Sequence, residues 1–159
     1  MTLIELMVTL AAAIILIAVG MPLFSGVAAN NRATAQTNAL VSAIKLARSE
    51  AVKRGANVSI AATGSNWVNG WTVFVDANSN GAVDANEGLR SWEAIAGASV
   101  GGVAGTAVVV FGRNGASNAT YNFDLTRSDA SGPLNRCITI MSGQVRIKKE
   151  QNGVAWSCP

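Results

Sequence analysis

The chain has 159 residues, a net charge of +3 and no histidine. That length fits an N-terminal segment plus one domain with a modest core. The missing histidine removes the commonest general base and the His ligands of most catalytic zinc sites, and so mild a charge does not by itself call for nucleic acid.

The chain opens Met1-Thr2-Leu3-Ile4-Glu5-Leu6, and after Glu5 no charged residue occurs until Arg32. A carboxylate carried to the bilayer centre costs roughly 2.5–3.5 kcal/mol on insertion scales. A charge kept here predicts a partner, and another copy of the same kind of N-terminus is the candidate. The nineteen residues from Leu6 to Phe24 carry no charge, enough helix to cross a hydrocarbon core. No basic stretch precedes this run and no good cleavage site follows it, which disfavours a signal peptide. Residues 1–26 are therefore expected to form a retained single-pass anchor. Pro22, flanked by Gly20 and Gly26, removes one helical hydrogen bond and predicts a weak point.

Residues 27–55 read as an amphipathic continuation of the same helix. Leu40, Ile44, Ala47 and Ala51 fall on one stripe, with Lys45, Arg48 and Lys53 elsewhere. Gly55 is the expected stop, and Lys53 and Arg54 suit the negative end of the helix dipole. Residues 56–159 read as a β-rich domain on which the stripe would lie. Its candidate strands are Val58–Ala62, Trp71–Val75, Leu89–Ile95, Thr106–Phe111, Ala119–Leu125, Cys137–Met141 and Gln144–Lys148. Ser142-Gly143 suits a two-residue hairpin turn, and Gly97 to Gly105 reads as a loose loop. One long helix followed by a run of strands is an α+β pattern, with the helix on an antiparallel sheet. The four tryptophans read as packing residues.

Two features carry chemistry. Asp76-x-Asn78-x-Asn80-Gly81-x-x-Asp84-x-x-Glu87 fits the twelve-residue calcium-loop template D-x-[DN]-x-[DN]-G-x5-E. Asp76, Asn78 and Asn80 offer side-chain oxygens, Ala82 a carbonyl, Asp84 a further carboxylate, and Glu87 a bidentate closure. Three carboxylates predict weak affinity, and the flanks read as strands rather than helices. The alternative is an Asx-rich turn that binds nothing. Cys137 and Cys158 suit a disulfide if the domain faces an oxidising compartment. The alternative is a pair of buried free thiols.

The N-terminus, Thr2-Leu3-Ile4-Glu5-Leu6 followed by an apolar helix and Pro22, resembles the mature start of type IV pilins and type II secretion pseudopilins. Met1 stands where that family usually has Phe. Trp67, Asn69-Gly70-Trp71-Thr72-Val73-Phe74-Val75-Asp76, Phe111-Gly112-Arg113-Asn114-Gly115 and the closing Cys137, Ser142-Gly143 and Arg146 are similar to the GspH/FimT group. The resemblance covers nearly the whole chain and implies a type IV pilin-like fold. It implies a minor pilin in the priming or tip complex of a type IV pilus, with a GspH-like type II secretion pseudopilin as the alternative. It also implies leader removal and N-methylation by a prepilin peptidase, residence in the inner membrane with the domain on the periplasmic side, and other pilins or pseudopilins as partners. After assembly the subunit would lie in an extracellular filament. Met1, Glu5 and Pro22 become the assembly residues, with Glu5 neutralising a neighbour's N-terminal amine.

DNA-binding members of the FimT type carry a C-terminal G-R-x-R motif. The matching stretch here is Gly143-Gln144-Val145-Arg146, which lacks the first arginine; Lys148 and Lys149 are candidate substitutes for phosphate contact. A DNA-receptor pilin is thus the reading from another class. An enzyme is not expected. No histidine is present to activate the many hydroxyls, Asp124 and Asp129 have no partner at a catalytic spacing, and Gly101–Gly105 lacks the context of a phosphate loop.

Overall fold

The computed structural model describes residues 2–95, 99–101, 107–129, 132–149 and 158; the side chains of 19, 21–25, 127–129 and 132–134 fall outside that description. A single helix, α1 (Leu3–Arg54), takes up the first third of the chain. Thr2 caps its start in a reciprocal box. The Glu5 backbone N–H donates to Thr2 Oγ1 at 3.3 Å, and the Thr2 N–H donates to Glu5 Oε2 at 2.7 Å. Gly55 ends it at φ +62°, a left-handed conformation that glycine adopts without the Cβ penalty, and its N–H donates to the Ala51 carbonyl. The helix continues through Pro22, whose side chain lies outside the described residues. Arg54 and Lys53 pair with Glu50 in the last turn, and the Arg54 hydrogen bond holds the Glu50 carboxyl below the usual carboxylate range.

Among the described residues eight strands follow, in two four-stranded antiparallel sheets rather than the one expected. The first contains β1 (Val58–Ala62), β2 (Trp71–Val75), β3 (Gly88–Trp92) and β5 (Val108–Phe111), in the order β3-β2-β1-β5. The second contains β4 (Ser99–Gly101), β6 (Tyr121–Asp129), β7 (Gly132–Met141) and β8 (Gln144–Lys149), in the order β4-β6-β7-β8. The expected loose loop at Gly97 to Gly105 in fact holds β4, because Ser99–Gly101 pairs with Asp124–Thr126 of β6; its other residues lie outside the described set. The β6–β7 hairpin extends well beyond the expected strands, to Asp129 opposite Gly132. Each added residue there finds a ladder partner, which local propensity does not report.

The core lies where both sheets meet the helix. Leu40, Ile44, Ala47 and Ala51 are fully buried, as the stripe predicted. They join Val58, Ile60, Val73, Val109 and Phe111 from the first sheet, and Phe123, Leu125, Ile138 and Ile140 from the second. Trp67, on the turn before β2, meets Phe123 of β6 edge-to-face at 4.8 Å and ties the sheets together.

Candidate functional site

The N-terminal half of α1 stands apart from this core. Every described side chain from residue 2 to 18 is exposed, including Leu3 at 80%, Ile4 at 69% and Leu16 at 74%. Among the described side chains of the helix, the first buried ones are Ala29 and Ala33. Among the described residues no helix is long and apolar enough to cross a membrane, so the expected span over residues 1–26 is not displayed by the structure. Met1 lies outside the described residues. Glu5 is occupied within its own chain, accepting from the Thr2 N–H and Thr2 Oγ1.

The loop between β2 and β3 holds the calcium-template residues. Asp76 winds its start, accepting from the N–H of Asn80 at 3.0 Å and of Gly81 at 3.0 Å. The side-chain amides of Asn78 and Asn80 both donate to Asp84 Oδ2, at 2.8 and 2.9 Å. Glu87 reaches back to the N–H of Ala77 at 3.2 Å and of Asp84 at 3.3 Å. The template positions therefore converge, with Asn78, Asn80 and Asp84 meeting at one oxygen. The carboxylates are shared out among loop N–H groups, and among the described residues no group of three or more His, Cys, Asp or Glu is gathered as a metal set. Gly81, Ala82 and Val83 border a groove of about 410 Å3 whose opposite wall includes Ala61, Thr72 and Val108.

The second sheet ends at β8, an edge strand. Arg146 stands opposite Thr139, and Lys148 opposite Cys137. Alternation along the strand puts Gln144, Arg146 and Lys148 on one face and Val145, Ile147 and Lys149 on the other. The three cations expected to form one patch are thus divided two and one, although all three are exposed. Cys137 is joined to Cys158 by a disulfide with a Cα–Cα distance of 5.5 Å, so the two-thiol alternative falls away.

Two arginines that sequence reasoning did not single out connect the helix to the second sheet. Arg48 Nη1 donates to the Gly143 carbonyl at 2.8 Å. Arg136 Nη2 donates to Asn30 Oδ1 at 2.8 Å and Thr34 Oγ1 at 3.3 Å. Arg136 had a legible signal. The pattern Arg136-x-Ile138-x-Ile140 puts it in step with core residues, and it is 5% exposed.

The family model described as type II transport protein GspH matches residues 36–143. The sequence matches no curated protein. The fold is similar to the type IV minor pilin FimU of Pseudomonas aeruginosa strain PAO1 in two crystal forms. The first aligns with a TM-score of 0.64 at 23% identity, covering 80% of this chain and 95% of the other. The second aligns with a TM-score of 0.61 at 22% identity, covering 74% and 97%.

Proposed function

The chain belongs to the GspH family, and we propose that it is a minor pilin, a structural subunit in the priming or tip complex of a type IV pilus. One observation carries this reading: the helix buried on the domain from Leu40 to Ala51 bears, over residues 2–18 of its other end, a run of exposed apolar side chains. Such a surface is not left to water. Lipid covers it before assembly, and the helices of other pilins cover it afterwards. Under this proposal the inner membrane holds the free subunit by residues 1–26, with the β-domain on the periplasmic side. A prepilin peptidase prepares the N-terminus, and Glu5 exchanges its contact with Thr2 for a neighbour's amine. The role is one of assembly rather than catalysis.

The family's description as a transport protein keeps a type II secretion pseudopilin as the alternative, while the printed name of the similar structures supports the pilus. A DNA-receptor role rests on Arg146, Lys148 and Lys149 and is weakened by their division between two faces. Deleting the gene and scoring surface piliation, exoprotein secretion and DNA uptake together separates the three. Loss of pili with normal secretion is the expected result, and lost secretion with normal pili overturns it.

A second proposal concerns the loop from Asp76 to Glu87. The loop brings Asn78, Asn80 and Asp84 within reach of one another, and weak calcium binding there requires the two Asn amides, which now donate to Asp84, to turn their oxygens inward. Asp76, Asn78, Asn80, the Ala82 carbonyl, Asp84 and Glu87 would be the ligands, with Asp84 and Glu87 giving up N–H partners to the ion. A calcium titration of the folded protein tests it.

A further inference from the structure

Arg136 occupies a core position of β7, opposite Leu125 of β6, and is 5% exposed. Its Nη2 donates to neutral oxygens 106 and 102 residues away in the chain, on Asn30 and Thr34 of α1. Its Nε is buried and has no hydrogen-bond partner. Among the described residues the ion pairs are those of Glu50 with Lys53 and Arg54, and Arg136 is in neither. Among the described residues its partners are neutral, and a buried cation held by neutral groups has an incompletely compensated desolvation cost.

The segment of helix it holds is weak in itself. Residues 30–38 read Asn-Asn-Arg-Ala-Thr-Ala-Gln-Thr-Asn, and five of these nine are Asn or Thr, poor helix formers. The buried side chains there are Ala33 and Thr37, with Ala29 just before them. The first large buried side chain is Leu40. Little apolar area secures this stretch, and the directional bonds from Arg136 tie it to the domain. Toward the N-terminus lie the exposed Val27 and Ala28 and, farther on, the exposed apolar side chains of residues 2–18.

We propose that Arg136 is a clasp that sets where, and at what angle, the apolar helix leaves the β-domain. Engaged with Asn30 and Thr34, it makes the helix one rod with the domain. Released, it leaves residues 30–38 as a hinge about which the apolar segment swings. The two bonds leave from a single nitrogen and both acceptors lie on one turn of the helix, so the contact opens as a unit. The proposal concerns the geometry of this chain alone and holds whether its filament is a pilus or a secretion apparatus.

The test uses the full chain in detergent micelles. Amide exchange is mapped in the parent, in Arg136→Gln, in Arg136→Lys and in the double variant Asn30→Ala with Thr34→Val. Exchange across residues 30–38 is expected to rise tenfold or more in Arg136→Gln and in the double variant. Residues 40–51 should keep their protection, and Arg136→Lys should fall between. In parallel, nitroxides at Thr9→Cys and Arg113→Cys should report a broader distance distribution when Arg136 is changed. Unaltered exchange at 30–38 overturns the proposal. So does a loss spread equally through residues 40–51 and the strands, which would make Arg136 an ordinary core residue. Should Arg136→Gln fail to fold, the double variant decides, since it alters only the helix side.

Discussion

Arg48 and Gly143 are 95 residues apart, and the Arg48 guanidinium donates to the Gly143 carbonyl at 2.8 Å. The contact joins the buried half of α1 to the β7–β8 turn. Ser142 and Gly143 both have positive φ there, +50° and +79°, as a tight hairpin turn of this kind demands. The glycine is also required sterically, because a Cβ at position 143 would overlap the Gly115 carbonyl. Gly143→Ala should therefore cost on the order of 2–4 kcal/mol. Arg48→Ala removes one part-exposed hydrogen bond and should cost about 1 kcal/mol. Urea denaturation of the two variants checks the order, and equal losses would refute it.

Glu5→Ala should leave the protein in the membrane fraction, since it removes a charge from an apolar helix. It should sharply reduce incorporation into filaments, scored by the subunit content of sheared surface material. The Thr2–Glu5 capping box sits at an exposed helix end, and its loss is too small to explain a failure to assemble. Normal incorporation of the variant would remove the pairing role.

Cys158→Ser opens the link that ties the C-terminus to β7. The loop it closes spans 21 residues of sequence. The expected loss is about 2–5 kcal/mol, read as a lower denaturation midpoint. Cys137→Ser should match it, because either change removes the same constraint. A variant pair with unchanged midpoints would show that the bond contributes nothing to the folded domain.

Calcium at the loop from Asp76 to Glu87 should raise the melting temperature by mass action, with a dissociation constant on the order of 10⁻⁴–10⁻³ M. Magnesium should do less, because it dehydrates reluctantly and demands an octahedral site. Glu87→Gln should weaken the effect strongly. A calorimetric titration with no heat and no thermal shift, with Asp76→Ala behaving like the parent, would leave the loop as a turn held by its own hydrogen bonds.

If the basic edge binds duplex DNA, the double variant Arg146→Ala with Lys148→Ala should lose more affinity than Lys149→Ala, because the first two share a face of β8. Binding should fall steeply with salt. A gel shift at low salt that shows no complex for the parent would end the DNA-receptor reading.

Much of this protein was legible in local sequence. The stripe of Leu40, Ile44, Ala47 and Ala51 predicted the buried face because helical geometry alone puts residues three and four apart side by side. Gly55 and Ser142-Gly143 marked real ends and turns because positive φ is a local demand that few residues meet. Asn78, Asn80 and Asp84 lie close along the chain and hydrogen-bond to one another.

Tertiary structure decided what depends on distant partners. Ser99–Gly101 has no strong strand pattern and becomes β4 only because β6 offers a free edge. The division into two sheets follows from which strands meet on the helix, and the strand order β3-β2-β1-β5 is not encoded in any single segment. The expected strand Gln144–Lys148 held Arg146 and Lys148, and the structure extends it to Lys149, which alternation puts on the other face. Arg136 shows the limit most clearly. Its spacing from Ile138 and Ile140 placed it on the core face, but only folding could bring Asn30 and Thr34 within reach of its charge.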